Sequence, residues 1–555
     1  MAKVLDDLRA CGFAELALVV LREEGPAPRP SLLDSLRGRW RFGLYNRYQR
    51  SDYRRHRLDP DAFEEVDWKA RLEGVPVLRV RPLGTRFVDR LDAKDVEAIR
   101  GADLDVLFRF GFRILKGDVL RSARYGVWSF HHGDNREYRG APPAFWEIYE
   151  RNPRCGSILQ VLGEKLDGGR VLYRSRSATQ PASLYRTRNA LYWKTAEFAL
   201  RRLRDLHQRG WPYLQSLDTF TEPDTYRRGI YRTPGPGPML RFLVRQGVER
   251  AAGRARSLFH PARVQWFLAL RRREPGCGPA EGLDRYQLVL PPADRFYADP
   301  FLLHRDGADW LFFEDYRFAE EKGIISCVRL DESGRPAEPV AALARPYHLS
   351  YPFLFEWEGA VYMMPETKAS GTIELYRAER FPDLWTLDRV LMSDVRAVDG
   401  TLLAHDGRFW LFTNMSRPGY SADDELYVFF ADTPFGPWRP HPGNPVVSDV
   451  CTARPGGALF RHEGRLLRPG QDCSLRYGGA LNFNEVETLT ETDYRERPVA
   501  RVEPGWAAGN LGTHTYARSL RFEAIDGHRL LRRTRSWAET ARRLGQAGAR
   551  RRGPA

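Results

Sequence analysis

The sequence predicts a multidomain protein in which an α/β unit precedes an all-β repeat module. Three observations predict it. The chain is 555 residues long; its first two hundred residues alternate β-branched runs with helical spacing; and after residue 290 an acidic-Gly dipeptide recurs between alternating apolar segments. Single hydrophobic cores stop growing at roughly 250–300 residues, so two or three domains are expected. A composition of 42% hydrophobic and 29% charged residues is globular and excludes a disordered, collagenous or coiled-coil chain.

In the first half, Leu16 to Leu21, Val75 to Val80, Leu104 to Phe110 and Val127 to Phe130 read as buried strands. Asp95 to Arg100 and Ser183 to Leu206 carry helical spacing. Alternation of this kind builds an open parallel sheet, with ligands outside the carboxyl ends of its strands. The run YRTPGPGP, Tyr231 to Pro238, breaks the pattern and reads as a linker. Met239 to Phe259 then carries apolar positions on one face and Arg241, Arg245, Arg250 and Arg254 on another. It reads as a helix packed between domains with its arginines in solvent; a basic membrane-surface helix is the alternative.

From about residue 290 the texture changes to short strands, aromatics and glycine turns. The dipeptides Asp306-Gly307, Glu358-Gly359, Asp406-Gly407 and Glu463-Gly464 each sit between alternating segments, as two-residue hairpin turns do, and Asp526-Gly527 is a weaker fifth. Their spacings of 52, 48, 57 and 63 residues fit one four-stranded blade per repeat, hence a propeller of about five blades. Equal distance from each turn sets Asp299 opposite Glu314, Tyr351 opposite Glu366, Asp399 opposite Asn414 and Gly456 opposite Gln471. These residues are expected to ring one channel mouth, either as a ligand site or as partners for backbone donors between blades.

Six cysteines lack any C-x-x-C pair and read as buried free thiols. No apolar stretch approaches a membrane span and no secretory signal is evident, so a cytoplasmic chain is expected. The net charge of +15 admits nucleic acid, a membrane surface or an acidic substrate. Only 8 of 87 basic residues are lysine, however, and the arginines are spread from end to end, so no nucleic-acid partner is expected.

The most specific stretch is Tyr125 to Asp167, where a strand delivers His131, His132 and Asp134 at its carboxyl end. Adjacent histidines without a distant H-x-x-x-H or cysteine partner lack zinc spacing, and no metal is expected there. The ordered series Ser129-x-His131, Tyr138-Arg139-Gly140, Pro142, Trp146 and Asp167-Gly168-Gly169, with FRFGFRIL (Phe108 to Leu115) upstream, resembles the 10-formyltetrahydrofolate-dependent formyltransferases over about residues 5 to 210. The resemblance implies a Rossmann-like domain with 10-formyltetrahydrofolate as formyl donor. It also implies His131 as proton shuttle, Asp167 as its orienting carboxylate, and Ser129 or His132 as oxyanion donor. Phe110, Arg113, Ile114, Leu115 and Gly169 would face the cofactor, and Asp134 and Arg139 the substrate. Ser129 stands where the family has asparagine, and the family's first strand would precede the helix at Val4 to Cys11.

In the second half, YADPFLL, YPFLFEWEGAVYMMPET and VDGTLLAHDGRFWLFTN resemble five-bladed glycoside hydrolase family 43-like modules. They resemble more closely the amino-terminal module of plant glucosamine inositolphosphorylceramide transferases. Asp299-Pro300 matches the hydrolases' general base, but Tyr351 stands at the second-blade position and no acid matches their third residue, which implies binding rather than cleavage. Asp299, Glu314, Tyr351, Glu366, Asp399, Asn414 and Gln471 are the expected glycan-binding residues, with Tyr351 as the stacking surface. The expected organisation is a formyltransferase-like domain over 1–210, a linker with the basic helix over 211–261, a propeller over 262–536 and a basic disordered tail over 537–555. The expected function is formyl transfer to the amine of a nucleotide-linked amino sugar in surface-polysaccharide biosynthesis, beside a sugar-recognising propeller. The alternatives are a glycan-binding or hydrolytic propeller with an inert first domain, and a methionyl-tRNA formyltransferase.

Overall fold

The structure is a computed structural model, describing residues 1–23, 32–84, 87–166, 168–217, 229–259 and 262–532. The expected tail over 537–555 and Asp167 lie outside the described residues. The chain is multidomain and largely β, in two compact units. One comprises Met1–Leu243 with Pro418–Tyr420; the other runs from Val244 to Arg417 and onward from Ser421.

In the first unit the expected strands and helices appear, but the open parallel sheet does not. Leu107–Phe108 and Val127–His131 pair in parallel, whereas Arg154–Val161 joins antiparallel to Val127–His131, and Arg170–Ala178 antiparallel to it in turn. Val19–Arg22 and Val77–Val80 form a separate parallel pair. Between them and the mixed sheet lies an apolar cavity of about 980 Å³, lined by Val4 and Leu8 of the first helix, Ala14 to Leu21, and Leu104 to Phe112. The chain reverses at Val161–Arg170, which a short antiparallel hairpin permits and a parallel connection does not. The helix Leu184–Ser216 is capped by Ser183, whose hydroxyl accepts from the Arg186 amide, and is broken at Gly210, φ +77°, ahead of Pro212.

Among its described residues the second unit contains five antiparallel sheets in succession. Three take four consecutive strands each: Arg295–Arg305 to Val340–Leu343, Ser350–Trp357 to Leu384–Ser393, and Ala397–His405 to Arg439–Pro440. A fourth runs from Arg454–Pro455 to Tyr494–Val502, and the remaining sheet is centred on Ala262–Arg272 and Phe522–Arg532. Those two strands pair over their whole length, Ala262 opposite Arg532 and Arg272 opposite Phe522, so the sheet joins the two ends of the unit. The first strands of successive sheets lie against one another.

All four stronger acidic-Gly dipeptides are hairpin turns with both residues at positive φ, for example Asp306 at +49° and Gly307 at +74°. The two-residue turn needs that twist, which glycine supplies freely and an acidic residue tolerates. Asp526-Gly527 is no turn. It lies inside Phe522–Arg532, opposite Leu268 and Phe267, where a side chain at Gly527 would collide with the Phe267 and Asn510 side chains.

Three of the expected pairings are displaced by one residue and the fourth by two. Glu314 faces Ala298, Glu366 faces Ser350, Asn414 faces Val398 and Gln471 faces Arg454. In the first three hairpins a bulge explains the shift: Asp299, Tyr351 and Asp399 sit at φ +53°, +46° and +52°, and the next residue is Pro300, Pro352 or Gly400. Proline cannot donate to a ladder and glycine weakens it, so the extra residue is left out of the pairing. A non-glycine residue there costs roughly 1–2 kcal/mol, and the same strained position recurs in three sheets.

Candidate functional site

The bulges turn Asp299 and Asp399 into a buried polar cluster. Asp299 Oδ1 accepts from the Thr515 hydroxyl at 2.8 Å and lies 3.3 Å from His514 Nε2; its Oδ2 accepts from the Tyr351 amide at 3.1 Å. His514 Nδ1 is 2.6 Å from Asp526, the residue taken from the sequence as a turn. Burial opposes a charge on His514, but Asp526 and Asp299 beside it outweigh that and raise its pKa. These three residues present ligand atoms within 4.8 Å of one another, and a divalent cation there would compete with protons for the same atoms.

Asp399 is held from the other side. Arg454 Nε donates to its Oδ2 at 2.6 Å, and Gln471 Nε2 donates to the same oxygen at 2.7 Å. Arg454 also reaches Asp423 at 2.8 Å and lies 3.7 Å from Glu366. Burial, then the neighbouring Asp399, pushes Glu366 up to about 8. Burial also lifts Asp299 to about 6, with His514 opposing. Glu314 is raised well above the usual carboxylate range, by burial and then by Asp299, Glu366 and Asp399. At neutral pH the cluster therefore holds protons as well as charges.

Asp299, Glu314, Glu366, Asp399 and Gln471 thus interact as one cluster. Asn414 is not seen to join it: its Nδ2 donates to the Ala422 carbonyl. Tyr351 is no stacking surface. Its ring is fully buried edge-on against Phe301, and its hydroxyl is bonded to Thr401 at 2.8 Å and to the Gly457 amide at 2.7 Å. The exposed aromatic is Tyr477, 44% accessible, with the Arg454 guanidinium 4.8 Å from its ring centre. Tyr477, Arg454 and His514 escaped the sequence reading, and Asp526 entered it only as part of a turn. Arg454 alone carried a signal, because it faces Gln471 once the pairing is set correctly.

In the first unit, Ser129 and His131 occupy the strand Val127–His131, and His132 follows it. Ser129 is buried; its hydroxyl accepts from Arg109 Nε at 3.0 Å and donates to the Phe130 carbonyl at 3.3 Å. His131 Nε2 lies 3.0 Å from the Tyr138 carbonyl, which can only accept, so this nitrogen carries a hydrogen. His132 stacks on Tyr192 at 4.0 Å and bonds Thr195 at 3.1 Å; burial, then His131 and Arg188, pushes it down to about 3, so it stays neutral.

Asp134 is engaged by Arg174 at 2.9 Å. Arg139 lies on the short strand Arg139–Gly140 that pairs with Ile230–Tyr231. Phe110 and Leu115 line the cavity, Ile114 pairs with Val88, and the Arg113 amide donates to Asp89 at 2.8 Å. Gly169 is a backbone requirement, since a Cβ there would lie 1.9 Å from the Val161 carbonyl oxygen.

Residues 290–527 match the family described as glucosamine inositolphosphorylceramide transferase 1, N-terminal. The rice (Oryza sativa subsp. japonica) protein of that name is 39% identical over 239 residues, 42% of this chain and 32% of that protein. The Arabidopsis thaliana protein is 36% identical over 206 residues, 36% and 27% of the two chains. The chain therefore spans about a third of the length of these relatives. A methionyl-tRNA formyltransferase of Synechococcus sp. (strain CC9605) is 32% identical over 181 residues, 32% of this chain and 50% of that protein. Among solved structures, a family 117 glycoside hydrolase of Zobellia galactanivorans shares 13% identity at a TM-score of 0.31, covering 47% and 90% of the two chains. The catalytic domain of a Coprinopsis cinerea GH62 α-L-arabinofuranosidase shares 13% at 0.33, covering 47% and 97%.

Proposed function

We propose that the protein acts in glycan chemistry, with the second unit a five-bladed propeller that binds an amino sugar and the first a formyltransferase-like module. The observation that carries this reading is the meeting of Asp299, Glu314, Glu366, Asp399 and Gln471 with Arg454, next to the exposed ring of Tyr477. Sugar hydroxyls need donors and acceptors at fixed positions, and a pyranose presents an apolar face to an aromatic ring. Arg454 and a protonated Glu366 donate, Asp399 accepts, and its charge suits the ammonium of a hexosamine. The match to glucosamine inositolphosphorylceramide transferases supports the same ligand class.

Binding without cleavage follows from Asp299. A general base needs a carboxylate open to water, and both oxygens of Asp299 are bonded within the protein. Calorimetric titration of the full chain with amino sugars, neutral hexoses and their nucleotide-linked forms tests the proposal. Amino-sugar binding lost in Glu366→Ala/Tyr477→Ala is the expected result; release of free sugar from an oligosaccharide, abolished by Asp299→Ala, would establish a hydrolase instead.

A second reading, formyl transfer from 10-formyltetrahydrofolate to a nucleotide-linked amino sugar, draws on the formyltransferase match and on His131 at the end of its strand. The donor set does not fit it. An oxyanion needs a hydrogen aimed at the reacting centre. Ser129 spends its hydrogen on Phe130 O, and His132 spends its own on Thr195, whose hydroxyl in turn donates to Tyr192 O. Mass analysis for a formyl increment on amino-sugar substrates tests this reading.

A further inference from the structure

The helix Pro236–Phe259 has two apolar faces, where the sequence predicted one. Met239, Phe242 and Gln246 form the inner face, with Met239 and Phe242 in a core cluster beside Tyr45, Tyr48 and Phe145. At 100° per residue, Leu240, Val244, Val248, Ala251 and Ala255 form a second row on the opposite side. That row is in solvent: Leu240 is 60% accessible, Val244 57% and Val248 62%, and both alanines are exposed.

Arginines border the row on both sides. Arg241, Arg245 and Arg256 lie along one edge and Arg250 and Arg254 along the other, against one acidic residue between Leu240 and Phe259, Glu249, which pairs with Arg245 at 4.0 Å. A helix that only filled space between domains would carry polar residues on this side. An apolar row between two cationic edges matches the layering of an anionic bilayer surface, where acyl chains take the aliphatic groups and lipid phosphates the guanidinium heads. Nucleic acid offers phosphates but no apolar layer to cover the row.

We infer that Leu240, Val244 and Val248 with their flanking arginines form a docking surface for an anionic lipid bilayer, the helix lying in the plane of the headgroups. The among-residue chemistry calls for lying on a membrane, not crossing it: no helix among the described residues is long and apolar enough to span one.

Flotation of the full-length protein with phosphatidylcholine vesicles containing phosphatidylglycerol, and with pure phosphatidylcholine, tests the inference at low and moderate salt. The wild type should float with the anionic vesicles and not with the neutral ones. Leu240→Ser/Val244→Ser/Val248→Ser, all exposed and so expected to leave the melting curve unchanged, should weaken partitioning roughly tenfold or more. Arg250→Glu/Arg254→Glu should do likewise. A triple-serine variant that floats like the wild type would overturn the inference, leaving general electrostatic adhesion. A wild type that stays off vesicles but forms a dimer abolished by the triple substitution would overturn it in favour of a second copy. Failure of sugar binding in calorimetry would leave this result untouched.

Discussion

Arg454 binds Asp399 across 55 residues of sequence: its Nε donates to Asp399 Oδ2 at 2.6 Å, from a strand whose first residue faces Gln471, the second donor to that oxygen. The ion pair is buried and shared with Asp423. Removing one partner of a buried pair leaves the other charge uncompensated, which costs more than the pair itself contributes.

Arg454→Met should therefore lower the stability of the protein by about 3–5 kcal/mol, read as a fall in the urea midpoint. Adding Asp399→Asn should recover part of that loss. A single variant as stable as the wild type would mean that Arg454 is held for its ligand alone.

Tyr477→Ala should weaken amino-sugar binding roughly tenfold, the worth of one aromatic contact, while shifting the melting temperature by only a few degrees. The 44% exposure of the ring sets it apart from Tyr351. Tyr351→Phe should lower stability instead, because it removes the hydroxyl bonded to Thr401 and the Gly457 amide. Isothermal calorimetry with thermal melts separates the two effects.

The cluster makes stability pH-dependent with a definite sign. Unfolded carboxyls release their protons near pH 4, whereas folded Glu366 holds its proton to about 8 and Asp299 to about 6. Between these limits the folded cluster binds more protons, so its contribution to stability falls as pH rises. His514 acts in the same direction: its raised pKa gives stability that is complete below the unfolded value near 6.5 and lost as pH passes its folded value. On the acid side, His132 is held down to about 3, so its contribution is lost as pH falls below about 6.5. Urea midpoints at pH 5.5, 7 and 8.5 should show Glu366→Gln gaining on the wild type by roughly 1–2 kcal/mol at the alkaline end. A gain that shrinks with pH would reverse the assignment.

For the first unit, Ser129→Asn should raise formyl transfer about tenfold or more over the wild type, because an amide carries a second hydrogen when one is spent on a neighbour. His131→Ala should abolish whatever transfer is measured. A wild type that transfers at an unchanged rate after Ser129→Ala would show that the donor lies elsewhere.

The hairpins were legible because the acidic-Gly turn combines a backbone requirement with a residue pattern that satisfies it, four times over. The bulges were not, since apolar alternation is intact between each bulge and its turn and a single inserted residue leaves no trace in it. Reading them would have meant weighing Pro300 and Pro352 as ladder breakers. Asp526-Gly527 shows the opposite error: the dipeptide is the same, but Gly527 answers to the crowding of Phe267 and Asn510, not to a turn. His514 and Arg454 join carboxylates 215 and 55 residues away, and no local pattern records such pairs. In the first unit, the order of motifs located the histidine-bearing strand, while the orientation of the Ser129 hydroxyl depends on Arg109, which no motif included.

The most direct test of sugar recognition by the second unit is saturation-transfer difference NMR on the full-length protein with glucosamine as the observed ligand. The wild type should transfer saturation to the ring protons of the sugar, and Glu366→Ala/Tyr477→Ala, folded by its melting curve, should not. Equal transfer in the two proteins, or none in the wild type at millimolar sugar, would contradict the assignment of the carboxylate cluster as the binding site.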